Sequence, residues 1–193
     1  MLLFLLACSD VEKPHDHDHD SEMITTIQLS LRDSSDAESV LEWSDPELDG
    51  NPTVDSIDLT VGEEYSLALS FWNGAEDPAE ELTEEIQDES EEHQIFFSGD
   101  VDGFDGAALI SHSYLDQDSN GNPIGLDNSI TALSEGEGVL VIGLRHIPEE
   151  DDVALKTANL LVDYQQGGES QIPGDWDIVG EFPLMVSAET SAE

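Results

Sequence analysis

Apolar and polar residues alternate along most of the chain from residue 23 onward. In the first such stretch, single polar residues separate Ile27, Leu29 and Leu31, and this period of two is typical of a strand with one buried face. The same test predicts strands at residues 40–43, 57–61, 65–71, 94–98, 108–115, 129–133, 139–146 and 182–186. Breaks rich in Gly, Asn, Asp and Pro separate these segments. Strands at this spacing predict an all-β, immunoglobulin-like β-sandwich.

One segment, residues 79–92, departs from the strand pattern. It follows Asp77 and Pro78, carries acidic residues in its first turn, and has Leu82 and Ile86 four positions apart. These are the signals of a helix start, and the remaining positions are almost all polar. The sequence therefore predicts one short, exposed, acidic helix inserted between two strands. For a second charged break, residues 149–156, a loop and a single helical turn both stay open.

The apolar run at the start of the chain stops at Cys8, the only cysteine. An apolar stretch that ends in a small residue before a cysteine is typical of a bacterial lipoprotein processing site. We therefore expect residues 1–7 to be the remnant of a signal peptide and Cys8 to be the lipidated residue. The alternative is a short hydrophobic terminus with an incidental thiol. A lipidated cysteine leaves no thiol for a disulfide, a cysteine zinc site or a nucleophile.

The rest of the chain divides into three parts by composition. Residues 8–22 are polar and lack apolar periodicity, so they cannot bury enough surface to fold and are predicted to form a tether. Residues 23–188 carry the strand pattern and form the predicted β-sandwich domain. Residues 189–193 are predicted to be a disordered tail.

Charge narrows the choice of partners. The 193 residues include 46 acidic and four basic ones, for a formal net charge of -42. Such a field repels phosphate backbones and anionic headgroups, which excludes nucleic acid as a partner. It attracts cations, such as calcium, transition-metal ions or sodium, or a basic protein surface. For most of the carboxylates, solubility or adaptation to salt is an equally good explanation.

The predicted tether contains a repeated His-Asp pattern. Its imidazoles and carboxylates belong to His15, Asp16, His17, Asp18, His19 and Asp20. In an extended chain, alternate side chains lie about 6.5 to 7 Å apart on one side, and a flexible segment can fold them around one ion. Imidazole suits zinc and copper, and a neighbouring carboxylate can act as ligand or as partner of the second ring nitrogen. The pattern predicts a zinc or copper site, unless the segment is a low-complexity linker or the remnant of a tag.

Two other histidines are candidates for a second metal site. His93 ends the predicted helix and His146 ends a predicted strand, so both are expected at the same sheet edge, where Glu89 or Glu92 would complete the ligand set. The alternatives are that His93 complements the negative end of the helix dipole and that His146 is an ordinary strand-end residue. His112 alternates with apolar residues and is assigned to the sheet.

Oxygen-bearing side chains at alternate positions also suggest calcium. The candidate ligands are Asp116, Asp118, Asn120 and Asp127. Their spacing matches the opening of a D-x-[DN]-x-[DN]-G calcium loop, although the last ligand is Asp rather than Glu and Pro123 interrupts the loop. Residues 45–50 and 100–105 have a similar alternation. Turns rich in Asp and Asn explain all three segments without an ion, so both interpretations stay open.

Several segments carry a resemblance to a known family. They are the cysteine motif and tether, residues 43–46 (WSDP), 73–80, 92–94 (EHQ), 116–123 and 144–146 (LRH). In these the chain resembles uncharacterised lipoproteins of Bacteroidota that are associated with TonB-dependent outer-membrane receptors. The resemblance covers most of residues 1–147. It implies a lipid-anchored place in the outer membrane, at the cell surface or on the periplasmic face, with such a receptor as partner.

The motifs of common enzymes do not occur in the sequence. It contains no G-x-S-x-G, H-E-x-x-H, phosphate loop or dinucleotide fingerprint, so we do not expect an enzyme. The predicted function is an extracytoplasmic lipoprotein that binds zinc or copper as an accessory to outer-membrane uptake. The alternative is a calcium-stiffened surface module that binds a protein or glycan partner. A structural lipoprotein with no specific ligand is the third possibility.

Overall fold

The computed structural model describes residues 23–104, 106–151 and 153–188. The strands are β1 (Thr26–Arg32), β2 (Glu38–Ser44), β3 (Thr53–Val54), β4 (Ile57–Thr60), β5 (Glu64–Asn73), β6 (Glu80–Glu81), β7 (His93–Gly99), β8 (Ile110–Tyr114), β9 (Asp127–Ala132), β10 (Gly136–His146) and β11 (Asp175–Ser187). The helices are α1 (Thr83–Asp88) and α2 (Leu160–Gly167), and a 3₁₀ turn spans Glu169–Gln171. Strands dominate, and the predicted all-β sandwich is confirmed.

The strands form two sheets. The larger has the order β3-β2-β1-β5-β9-β8, and β6 pairs with the end of β5. The smaller has the order β4-β11-β10-β7. Neighbouring strands are antiparallel throughout, except that β4 runs parallel to β11. Each of the nine predicted strands has a counterpart, and the two-residue strands β3 and β6 are additional.

The alternating pattern buries one face of each sheet in a shared core. In β1, Ile27, Leu29 and Leu31 point inward and are at most 6% exposed, while Gln28 and Ser30 point outward, as the strand period requires. The inner faces of both sheets contribute to one cluster, whose largest fully buried members include Phe71, Phe97, Phe182, Ile27, Leu29 and Ile57. Burial of this apolar surface is the main favourable contribution to folding.

Apolar residues also cover the outer face of the smaller sheet. Phe96 points away from the main core and joins Ile147, Leu160 and Ile172 in a second apolar cluster. Leu160 belongs to α2, which the sequence pattern does not predict. The outward side chains of the larger sheet are instead mostly polar, and those of Gln28 and Ser70 are half-buried.

The predicted acidic helix is present but shorter than residues 79–92. Glu80 and Glu81 pair with Asn73 and Trp72 of β5, so the chain is extended there and α1 begins only at Thr83. Leu82 and Ile86 are buried, as the predicted apolar stripe requires. In the second charged break, Glu150 and Val153 form an antiparallel bridge rather than a helical turn.

The other predicted segments lie outside the described residues. These are residues 1–7, the tether at 8–22 with Cys8 and the His-Asp pattern, and the tail at 189–193. Within the part that the structure describes, no helix has both the length and the apolar character to cross a membrane.

The described core predicts that substituting an inward residue lowers the free energy of unfolding much more than substituting an outward one. Phe71 is fully buried, so Phe71→Ala should lower the free energy of unfolding by about 3 to 5 kcal/mol through lost burial and a cavity. Val40, on the outer face of β2, is 55% exposed, so Val40→Ala should cost about 0.5 kcal/mol or less. Urea unfolding of the two variants measures both values, and similar losses would contradict the described core.

Candidate functional site

The structure brings His93 and His146 together. They are directly opposite each other on the paired strands β7 and β10, and their rings stack with centroids 4.8 Å apart and planes 16° from parallel. Nε2 of His146 lies 3.3 Å from Oε2 of Glu92, and Nδ1 of His93 lies 3.2 Å from the carbonyl oxygen of Glu89. All four residues named as a second metal site therefore lie near one strand end.

Burial shifts the pKa values of two groups in this cluster. It lowers the pKa of His93 to about 4 and raises the pKa of Asp177, whose Oδ2 lies 3.9 Å from His93 Nε2, to about 6. At neutral pH a neutral imidazole therefore faces a carboxylate. Imidazole binds metals through a lone pair in the ring plane, and two nearly parallel planes do not direct both lone pairs at one point. Among the described residues, no group of three or more His, Cys, Asp or Glu side chains is arranged to hold a metal ion, and metal binding here stays a prediction.

The first predicted calcium ligand, Asp116, closes its own loop. Its Oδ1 accepts a hydrogen bond from the backbone N–H of Gly125 at 2.8 Å. Its Oδ2 accepts from the N–H groups of Leu126 and Asp127 at 2.8 and 3.1 Å. Both oxygens are thus engaged by the backbone that leads into β9.

Asp118 lies deeper and contacts a lysine. Its Oδ1 accepts from the backbone N–H groups of Asn120 and Asn122 at 2.9 and 2.8 Å, and its Oδ2 is 3.0 Å from Nζ of Lys156. The same Nζ donates to the carbonyl oxygen of Ser90 at 2.6 Å. Burial lowers the pKa of Lys156. An ammonium group of the chain itself therefore lies against the carboxylate that the sequence assigned to calcium.

The other two segments with calcium-like spacing also use backbone donors. The carboxylate of Asp45 accepts from the N–H groups of Asp49 and Gly50 at 3.2 and 2.9 Å. Oδ2 of Asp100 accepts from the N–H of Val139 at 2.8 Å, and Asp105 lies outside the described residues. Closed loops of this kind need no ion, so calcium in these three segments stays a prediction.

Sequence reasoning missed the importance of the buried cations. Arg145 donates to the carbonyl oxygens of Ile172, Pro173 and Gly174 at 2.6 to 3.1 Å, and its guanidinium lies 4.7 Å from the centre of the Trp176 ring. The small number of basic residues could have indicated this role. A chain with only four of them has few groups that can bind carbonyl oxygens and carboxylates together.

A row of hydrogen bonds crosses the outer face of the larger sheet. Nε1 of Trp72 donates to Oγ of Ser70 at 3.0 Å, which donates to Oε1 of Gln28 at 3.4 Å. Nε2 of Gln28 then donates to Oε1 of Glu42 at 2.8 Å. Ser70, Gln28 and Glu42 are in register on β5, β1 and β2. The network fixes the amide of Gln28 beside the indole of Trp72, and we name these four residues the polar row.

The polar row lies in a groove of about 300 Å³. Besides three members of the row, the groove is lined by Thr26, Ser44, Pro46, Gly74 and Ala79. A second groove of about 420 Å³ on the same face includes Ser30, Arg32, Glu38 and Ser66. Because Gln28 and Ser30 are successive outward residues of β1, the two grooves follow each other along the strands.

No family model, curated protein or solved structure matches this chain. Its function is therefore inferred from the polar row, the histidine cluster and the loops themselves.

The buried histidines predict a specific loss of stability in acid. Burial lowers the pKa of His112 to about 4, as it does for His93, whereas an unfolded histidine titrates near pH 6.5. Between these values the unfolded chain binds more protons than the folded one at both residues, so stability falls as the pH falls. Asp177 acts in the opposite direction between about pH 4 and 6, because its pKa is raised in the folded state.

Replacing His112 isolates one of these contributions. His112 stacks on Phe97 at 3.9 Å and shares a 2.9 Å hydrogen bond with Asn128, so His112→Phe keeps a ring but removes the titration. The loss of unfolding free energy between pH 7 and pH 4.5 should shrink by about 2 kcal/mol. Urea unfolding at both pH values measures this difference, with Val40→Ala as the control whose pH dependence stays unchanged. A His112→Phe curve parallel to that of the native chain would show that His112 does not titrate as described.

Proposed function

We propose that this protein is an extracytoplasmic, lipid-anchored β-sandwich that binds a glycan on the outer face of its larger sheet. The observation that carries the proposal is the polar row of Trp72, Ser70, Gln28 and Glu42 along a groove of about 300 Å³. Cys8 would hold the domain at the outer membrane, as the sequence predicts.

The chemistry of the row suits a sugar ring. A sugar presents apolar C–H groups on its faces and hydroxyl groups around its edge, and an aromatic ring such as that of Trp72 offers large apolar area with a polar handle. The amide of Gln28 has a second N–H to donate, and Glu42 has a second oxygen to accept. Since the internal hydrogen bonds already orient these groups, little conformational freedom is lost on binding.

The second groove extends the surface for a linear chain. Outward residues of β1 run from Thr26 in the first groove to Arg32 in the second. At about 3.3 Å per residue, this distance is roughly 20 Å, enough for several sugar units. Hydroxyl groups of Ser30 and Ser66 line the second groove, which supports an extended rather than a single-sugar ligand.

Charge favours an uncharged glycan. The net charge of -42 repels anionic polysaccharides. Arg32, which lines the second groove, already lies 3.2 Å from Glu38. The expected ligand class is therefore a neutral linear oligosaccharide.

Substitutions in the polar row should weaken glycan binding. We expect Trp72→Ala and Gln28→Ala each to weaken binding of a neutral oligosaccharide at least tenfold, about 1.4 kcal/mol. Val179→Ala, at a 40% exposed position of the smaller sheet, should bind like the native chain. A glycan array selects the ligand, calorimetry measures its affinity, and melting temperatures check that the variants are folded. Equal affinity in all variants, or no binding to any neutral glycan, would refute the proposal.

Metal capture by the His-Asp pattern is a second, separate proposal. The net negative charge supports it because the field concentrates cations. His93 contributes less than the tether in this scheme, because its side chain is only 4% exposed and stacked on His146.

Calorimetric titration of the full chain with zinc and copper tests this scheme. Replacing His15, His17 and His19 by Ser should abolish binding, whereas His93→Ala should leave it intact. Binding should weaken as the pH falls below about 6.5, since imidazole ligands must be deprotonated. Binding that survives the triple substitution would place the ion at His93 and His146 instead.

A further inference from the structure

One buried pair places a lysine nitrogen beside a carboxyl group. Nζ of Lys156 lies 3.0 Å from Oδ2 of Asp118, and the two side chains are 1% and 0% exposed. Asp118 belongs to the loop between β8 and β9, and Lys156 follows β10. The pair therefore joins two loops that are distant in sequence, on a part of the molecule separate from the polar row.

The carboxyl group of Asp118 is held as an electrophile would be. Two backbone N–H groups, from Asn120 and Asn122, donate to Oδ1 at 2.9 and 2.8 Å. When a nucleophile adds to a carboxyl carbon, negative charge develops on this oxygen, and preorganised N–H donors stabilise that charge. Among the described residues, Oδ2 has no hydrogen-bond donor of good geometry, so its one close polar contact is the lysine nitrogen.

Burial disfavours both charges of the pair and lowers the pKa of Lys156. Burial also raises the pKa of Asp118, but the hydrogen bonds from Asn122, Lys156 and Asn120 outweigh it and lower that pKa overall. The ion pair is therefore the resting state, and the reaction starts from the neutral pair. An ammonium and a carboxylate are costly to hold away from water. Transfer of one proton from Lys156 to Asp118 removes both charges at once. The products are a neutral amine, which is a nucleophile, and a carboxylic acid, which is a far better electrophile than a carboxylate.

We propose that Lys156 and Asp118 form an intramolecular amide bond that cross-links the two loops. The lone pair of Nζ adds to Cγ of the protonated Asp118, and a new N–C bond forms while Oδ1 carries the negative charge. The C–Oδ2 bond then breaks, and the Oδ2 hydroxyl takes one proton from the nitrogen and leaves as water. No oxidation state changes, so the step needs no oxidant, cofactor or activated co-reactant.

Such a bond would serve a chain that has one cysteine and hence no intramolecular disulfide. A cross-link between residues 118 and 156 restricts the unfolded chain and so stabilises the folded one. Lys156 is the only lysine within the described residues. Arg32, in the surface pair with Glu38, carries a guanidinium group that stays protonated and is not a nucleophile.

Peptide mapping of the native protein tests the proposal directly. The purified full chain is unfolded, digested and examined by mass spectrometry. We expect one branched species that contains the peptides of Asp118 and Lys156, lighter than their sum by one water molecule, with fragment ions that place the linkage on these two residues. Recovery of the two peptides only as separate, unmodified species would overturn the proposal. This measurement needs no variant and does not depend on how the N-terminus is processed.

Two variants and a matched control locate the reaction. Lys156→Arg keeps a positive charge beside Asp118 but should lose the branched peptide, and Asp118→Ala should lose it too. Glu38→Ala, which removes the exposed ion pair with Arg32, should keep it. If the loss of one water persists in Lys156→Arg, it arises elsewhere, for example by dehydration at Asp102 before Gly103, and the proposal is wrong. The linked chain should also migrate differently from Lys156→Arg on a denaturing gel, because its unfolded form is more compact.

Discussion

A chain with 46 acidic and four basic residues must satisfy most of its carboxylates without ion pairs. Backbone N–H groups take over this role in the loops. Asp33 accepts from Ser35 and Ala37, and Asp45 and Asp116 close their loops in the same way. Each such contact pairs a polar group of an irregular segment, which would otherwise depend on water. The acidic composition thus contributes to the fold itself as well as to solubility.

The cations within the described residues are mostly inside. Arg145 and Lys156 are 5% and 4% exposed, and each holds carbonyl oxygens of segments that lack regular structure. Placing positive charge inside leaves the exterior almost purely anionic, which repels charged polymers of the same sign. The proposed neutral glycan would contact hydroxyl, amide and aromatic groups, which line part of the grooves of the larger sheet.

The sequence pattern predicts those strands and helices in which a single segment is long enough to show a regular spacing of apolar residues. Strands with one buried face alternate visibly, and the pair Leu82 and Ile86 marks α1. Strands β3 and β6 contain two residues each and so carry no period. Helix α2 starts with Leu160, Leu161 and Val162, a run without helical spacing that is explained only by its packing on the outer face of the smaller sheet.

The same limit applies to the candidate sites. His93 and His146 were expected together because both end elements at one sheet edge. The neighbours of Gln28 on either side, Glu42 and Ser70, depend on the order and register of three strands, which alternation alone does not determine. The contact of Asp118 with Lys156 joins two irregular loops, where no period exists to indicate proximity.

The position of β11 has a consequence for how the molecule is assembled during synthesis. This strand, Asp175–Ser187, lies between β4 and β10 in the centre of the smaller sheet, yet it is the last described strand in the chain. Until the ribosome has released it, β4 has no partner in its sheet and one side of β10 is open. The sandwich therefore cannot close gradually from its N-terminal end, and such long-range pairing makes folding slow. Closure of the smaller sheet thus waits for the last strand that the structure describes.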